Sequence, residues 1–191
     1  MEKTRLPVLT TAIMLFGLGF FGRIALHDYH NIETIMVSIF LASMLLPGGI
    51  AAIVSISMIV LSDIYLGYFG TSKIILFTYS GFLLVSLITT ILQRKIKGNY
   101  SGGTVYKFAA SGIIFTAIFD TWTNFGVFWL GYAHTLDNLI LVYILGIPFM
   151  IYHLLSSIFT FTVIGFPVYQ TLTSRTSEEQ IVGNVRDAED L

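Results

Sequence analysis

The sequence predicts an all-α integral membrane protein, a bundle of six transmembrane helices with both termini in the cytoplasm. Three observations carry this expectation. Hydrophobic residues make up 55% of the 191 and charged residues only 11%, where a water-soluble domain carries roughly 25% charge. The mean hydropathy is +0.81. The apolar residues fall in six stretches near the length, about 20 residues, that crosses the hydrocarbon layer.

The first stretch runs from Pro7 to Leu26, behind Lys3 and Arg5. It is too long for a signal-peptide core and no small-x-small cleavage site follows it, so it reads as the first span. The second and third, Ile32 to Leu46 and Gly49 to Leu66, are short and separated only by Pro47-Gly48-Gly49, a strong turn signal. The remaining stretches are Ile74 to Leu92, Tyr106 to Leu130 and Leu139 to Val168, the last with Pro148 inside it as an expected kink. Together residues 1–170 form the membrane domain. Residues 171–191 form a polar cytoplasmic tail with Glu178, Glu179, Asp187, Glu189 and Asp190, expected to be disordered.

Charge fixes the count of spans and their direction. Cytoplasmic flanks are rich in Lys and Arg. With six spans and the N-terminus inside, Lys3, Arg5, Arg94, Lys95, Lys97, Lys107, Arg175 and Arg186 lie inside, and only Arg23 and Lys73 outside. Fusing the second and third spans would put Arg94 to Lys107 opposite Lys3 and Arg5 and abolish the bias. The chain is therefore a multi-pass protein of the cell membrane, solvated by the lipid bilayer. Its net charge of −1 supplies no field for nucleic acid, and its lack of cysteine excludes a disulfide framework and a thiolate nucleophile or metal site.

The polar residues are distributed unevenly. Outside the termini the carboxylates are Asp28, Glu33, Asp63, Asp120 and Asp137, all in outer loops or outer halves of spans. His27, His30, Asn31, Asn124, His134 and Asn138 share that side. A charge within the membrane is costly and faces protein or a water-filled cavity, so the pattern points to a polar site open to the outside. Asp120 lies about 21 Å up the fifth helix at 1.5 Å per residue. Thr116, Asp120, Thr123 and Asn124 form one polar stripe at helical spacing, with Trp122 and Trp129 projecting from the other side. Asp63, with Ser55 and Ser62, makes a weaker stripe on the third span. Each carboxylate has a bland reading as well: Asp120 pairing with Arg23 or a hydroxyl, and Asp63 sitting at the interface. His153, with Ser156, Ser157 and Thr160, reads as helix-to-helix hydrogen bonding. No metal site and no cofactor is expected, since no zinc signature accompanies His27, His30 and Glu33. With no P-loop, no G-x-S-x-G and no Rossmann glycine pattern, no enzyme is expected either.

These features resemble the S components of energy-coupling factor transporters. The local matches are Asn31-Ile32-Glu33-Thr34, the Pro47-Gly48-Gly49 turn and Ser62-Asp63-Ile64-Tyr65-Leu66-Gly67. Thr123-Asn124-Phe125-Gly126-Val127-Phe128-Trp129-Leu130, followed by Ile147-Pro148-Phe149, resembles a family of uncharacterised membrane proteins related to S components. The resemblance spans about residues 7–168. It implies a substrate-binding membrane subunit that takes up a vitamin, a vitamin precursor or a similar small polar solute from outside. The partners implied are a transmembrane coupling subunit and a pair of cytoplasmic ATPases. Arg23, Asn31 and Glu33 would close the pocket, Asp63, Asp120 and Asn124 would hold polar groups of the solute, and Trp122 or Trp129 would stack on a ring. The mixed charges suit a zwitterionic or multi-donor solute. The Ala-x-x-x-Ala docking pattern of such proteins is broken here, with Ala12 followed at that spacing by Phe16. Glu2 stands where the cobalt and nickel members carry His. Two other functions draw on the same residues: a solitary gradient-driven transporter coupled through Asp120 and His153, and a membrane scaffold or accessory protein without a ligand.

The topology has a direct check, since the native chain has no thiol. In Tyr29→Cys and Lys97→Cys variants, an impermeant thiol reagent applied to intact cells should label only position 29. Labelling at 97 alone would invert the orientation.

Overall fold

Apolar side chains spaced for helices, punctuated by proline and glycine, produce an all-helical fold. The computed structural model describes residues 8–29, 32, 34–96 and 104–173, without the side chains of 92–96. Among them the chain forms six α-helices: α1 (Val8–Ala25), α2 (Ile35–Leu45), α3 (Gly48–Tyr65), α4 (Ile75–Ile96), α5 (Thr104–Gly131) and α6 (Leu136–Phe159). A π-helical segment, Thr160–Gly165, continues α6, and the helix runs on to Thr173. Four helices are long and apolar enough to cross a membrane: α1, α3, α5 and the extended α6. The tail beyond residue 173 lies outside the described residues.

The turn between α2 and α3 follows from Pro47. Proline pushes its predecessor out of the helical region, and Leu46 is extended, with φ −98° and ψ 157°. Its N–H still donates to the Ala42 carbonyl at 2.9 Å, closing α2. The Pro47 carbonyl accepts from Ala51 N–H at 2.9 Å and opens α3. At the opposite end of the bundle, Thr135 caps α6 by accepting from Asn138 N–H at 3.4 Å, and Asp137 sits in the first turn, where the helix dipole favours a carboxylate.

The second stretch departs from expectation. It was to be a span over Ile32 to Leu46, but the helix formed covers 11 residues, about 16 Å against a hydrocarbon layer of about 30 Å. It survives because protein surrounds it. Every residue from Ile35 to Met44 is buried, and α2 touches α1, α3, α4 and the π-helical segment. Phe40 is its centre of contact, with the rings of Phe108, Phe115 and Phe161 at 5.4, 5.6 and 5.2 Å.

Around this core α5 and α6 run antiparallel. Tyr143 Oη donates to the Thr121 carbonyl, Asp120 meets His153, and Thr116 meets Ser157. Pro148 lies within α6, while the irregularity of the last helix is the π-helical segment. That segment turns both Phe161 and Gly165 inward, Phe161 onto Gly112 and Gly165 onto Val37. Ile140, Ile144, Ile147, Ile151 and Leu155 stay exposed on α6, an apolar surface of the kind that lipid covers.

Close helix approach depends on Gly22. A Cβ there would stand 2.9 Å from both Cβ and Cγ2 of Thr34, whose hydroxyl is committed to the Leu18 carbonyl at 2.9 Å. Thr34 is short and cannot swing away. Gly22→Ala should therefore destabilise the protein by about 1–3 kcal/mol, the usual cost of overpacking. Gly49→Ala, with nothing within 4 Å of its added carbon, should be neutral. Melting curves of the two variants in one detergent test this; equal midpoints would refute the close contact.

Candidate ligand-binding site

The C-terminal ends of α1, α3 and α5 and the N-terminal ends of α2, α4 and α6 meet at one end of the bundle, and polar residues gather there. A cavity of about 430 Å³ opens among them, within the size range of small-molecule sites. Its room comes from the shortness of α2. Helix α3 rises about 27 Å from the Pro47 turn and α2 only about 16 Å. Among the described residues, Ile32 and side chains from the surrounding helices line the space over the start of α2.

Arg23, in the last turn of α1, lines one wall. Behind it sits Asp63 in the last turn of α3, only 3% exposed. Arg23 Nη2 approaches Asp63 Oδ1 to 2.7 Å as a charge contact not aligned as a hydrogen bond. Arg23 Nη1 donates to Ser62 Oγ at 3.1 Å, and Tyr79 Oη on α4 donates to Asp63 Oδ2 at 2.8 Å. Three helices are thereby tied together, and the guanidinium is fixed in direction.

The opposite wall and floor come from α5 and α6. Asp120 and His153 are 8% and 7% exposed, and both line the cavity. His153 Nδ1 lies 2.8 Å from Asp120 Oδ1. With Asp120 ionised, that ring nitrogen is the donor. Asp120 Oδ2 is buried and accepts no hydrogen bond. Beneath this pair Thr116 Oγ1 donates to Ser157 Oγ at 2.6 Å. Asn124 lines the cavity above Asp120, and α6 passes it at Gly146, where a Cβ would stand 2.7 Å from Asn124 Oδ1. Over the mouth, His27 Nε2 and Tyr68 Oη are 2.9 Å apart. Gly67 and Gly70, both at φ 77°, supply the left-handed backbone of the turn that carries Tyr68.

Of the residues expected from sequence, Arg23, Asp120 and Asn124 line this cavity. Asp63 does not line it but holds Arg23 from behind. Asn31 and Glu33 lie outside the described residues, as does His30. The two tryptophans stand elsewhere. Trp122 Nε1 donates to Ser80 Oγ at 2.8 Å and packs on Phe77 and Phe125. Trp129 is 52% exposed and stacks on His134 at 4.4 Å. The expectation that a tryptophan stacks on a ring within the site is therefore corrected. Helical spacing turns both away from the Asp120 stripe, and Phe82, Phe119 and Phe149 supply the aromatic wall instead. The alternative pairing of Asp120 with Arg23 is also replaced, because Asp63 holds Arg23 and His153 holds Asp120. His153 does bond helix to helix as expected, but it also faces the cavity. Its lone position in an apolar helix was the available signal. Among the described residues no group of three His, Cys, Asp or Glu is disposed to hold a metal ion.

The Arg23–Asp63 pair sets a measurable expectation. Removing one member of a buried pair leaves an uncompensated charge and costs about 3–5 kcal/mol. Arg23→Gln should lower the melting temperature sharply. Adding Asp63→Asn should recover much of the loss, because the orphaned charge is then gone. A double variant no more stable than Arg23→Gln would show that the charges are not coupled.

No curated protein and no solved structure matches the chain. A family model described as a family of unknown function (DUF6580) matches residues 2–180, the whole helical bundle and part of the tail. The chain belongs to that family.

Proposed function

We propose that the protein is a solute-binding membrane subunit of the S-component type, taking up a vitamin, a vitamin precursor or a similar small polar solute rather than catalysing a reaction. The observation that carries this reading is the cavity itself. A recess of about 430 Å³ in an apolar bundle holds Arg23, Asp120, Asn124 and His153 on facing walls. Membrane proteins seldom maintain ionisable groups at such depth without a use for them, and a few convergent polar groups among aromatic walls are the usual makeup of a small-molecule site. The basic bias of the sequence supports an outward-facing mouth, where a scarce solute would be captured. In this reading Arg23 and Asn124 orient the solute, Asp120 anchors it, and Asp63 and Tyr79 position Arg23. Release inside would require a coupling subunit and an ATPase pair, since the chain carries no nucleotide-binding motif.

One observation favours a second reading. Asp120 and His153 form a buried hydrogen-bonded titratable pair at 2.8 Å, the sort of couple through which a solitary transporter moves a proton. Uptake by the chain alone in proteoliposomes, driven by a proton gradient and lost in His153→Gln, would favour that reading over the subunit.

The binding reading is tested on the purified protein. Native mass spectrometry should find one small molecule bound per chain. Asp120→Asn should remove it, because a hydrogen bond to a charged group contributes about 1.5–3 kcal/mol, roughly ten- to a hundredfold in affinity. If Asp120→Asn lowers thermal stability and leaves occupancy unchanged, Asp120 is a packing residue and the ligand assignment fails.

A further inference from the structure

The pairing of charges indicates what kind of solute the cavity takes, an inference that rests on the solute-binding reading. Arg23 is the only lining residue with an obligatory positive charge among those described, and Asp63 neutralises it at 2.7 Å. Among the described residues, Asp120 pairs with no guanidinium or ammonium group. Its Oδ1 meets an imidazole, and its buried Oδ2 accepts nothing. Among the described residues, Arg23 faces the cavity with its charge matched by Asp63, while Asp120 faces it with an imidazole as its partner. Asp120 lines the cavity with one oxygen free of hydrogen bonds, and a carboxylate so placed favours a ligand that brings a donor.

The surroundings define that donor. Phe119 lies beside Asp120 on the cavity wall, with its ring 4.5 Å from Phe82 and edge-on to His153 at 5.9 Å. Phe149 comes from α6. Aromatic faces attract organic cations and bury flat rings. A bare metal ion would need several hard ligands, and no three-residue cluster among the described residues offers them. An anion would approach Asp120 where the one guanidinium among the described lining residues, Arg23, is already matched by Asp63.

We propose that the solute is a small organic cation, an ammonium or a positively charged ring nitrogen joined to a planar group. The charge sits against Asp120 at the cavity floor and the plane lies among Phe82, Phe119 and Phe149. Arg23, pinned by Asp63 and Ser62, keeps N–H groups for an uncharged oxygen acceptor nearer the mouth. This narrows the expectation drawn from the sequence. The mixed charges of the sequence suit a zwitterionic or multi-donor solute, and the pairing of Arg23 with Asp63 favours the donor-rich cation among these.

Three probes of similar size separate charge from shape: phenethylamine (cationic), 2-phenylethanol (neutral) and 3-phenylpropionate (anionic). Each is titrated into the full-length wild-type protein in detergent, with binding read from the melting temperature and sodium chloride alone as a control. Phenethylamine should bind at least tenfold more tightly than either of the others, and folded Asp120→Asn should lose that preference. If Asp120→Asn does not fold, the wild-type comparison still decides, and Asn124→Asp, which adds a second carboxylate to the wall, should widen the preference severalfold. Equal or tighter binding of 3-phenylpropionate, an unchanged preference in folded Asp120→Asn, or stabilisation reproduced by sodium chloride would overturn the proposal. An anionic or neutral co-purified solute would overturn it while leaving the binding reading intact. No co-purified solute and no response to any probe would overturn the binding reading, and the cation with it.

Discussion

A helix of 11 residues at the centre of the bundle governs the rest of the architecture. Helix α2 is too short to cross a bilayer, and backbone groups left unpaired in hydrocarbon are costly. It is therefore enclosed by α1, α3, α4 and the π-helical segment, and its sequence, apolar on every face, suits that position. Enclosure determines how closely neighbours approach, hence the glycines at 19, 22 and 165, each against a residue of α2 or its N-cap. Shortness determines what is missing above it. The cavity occupies depth that a full-length second span would have filled.

Charges then appear where that vacancy makes them tolerable. Arg23 and Asp63 join α1 to α3, Tyr79 adds α4, and Asp120 and His153 join α5 to α6. The cavity thus lies between two separately tied groups of helices. Neither tie is a strong argument for stability, since replacing a buried pair with well-packed apolar groups is often neutral or stabilising. In the proposed solute-binding function, their arrangement around a recess presents fixed polar groups to the ligand. The two ties are also unequal: a guanidinium meets Asp63 and an imidazole meets Asp120, while each carboxylate keeps one oxygen without a hydrogen bond. That inequality gives the site its electrostatic character.

The outer surface follows different rules. Leu9, Ile13 and Phe21 on α1, and Ile144, Ile151 and Leu155 on α6, are exposed, as lipid-facing residues should be. Trp129 stacks on His134 near the end of α5, with an apolar body and polar tip suited to the membrane interface. Trp122 instead fills the contact between α4 and α5. Both tryptophans serve the envelope, and the site takes its aromatic character from phenylalanines.

Hydrophobic run length and turn chemistry determined six helices and the break at Pro47, because both are local properties of the chain. Basic residues determined the expected orientation, and the stripe of Thr116, Asp120 and Asn124 marked one wall of the cavity, because helical spacing places side chains on a common face. Tertiary structure decided what spacing along one chain does not encode. It made the second stretch a half-length helix, since only the neighbours can enclose one. It chose Asp63 over Asp120 as the partner of Arg23, since helices far apart in sequence had first to be brought side by side. It brought His153 to Asp120 through the antiparallel register of α5 and α6, and it selected Phe82, Phe119 and Phe149 over the tryptophans, since a cavity wall belongs to several helices at once.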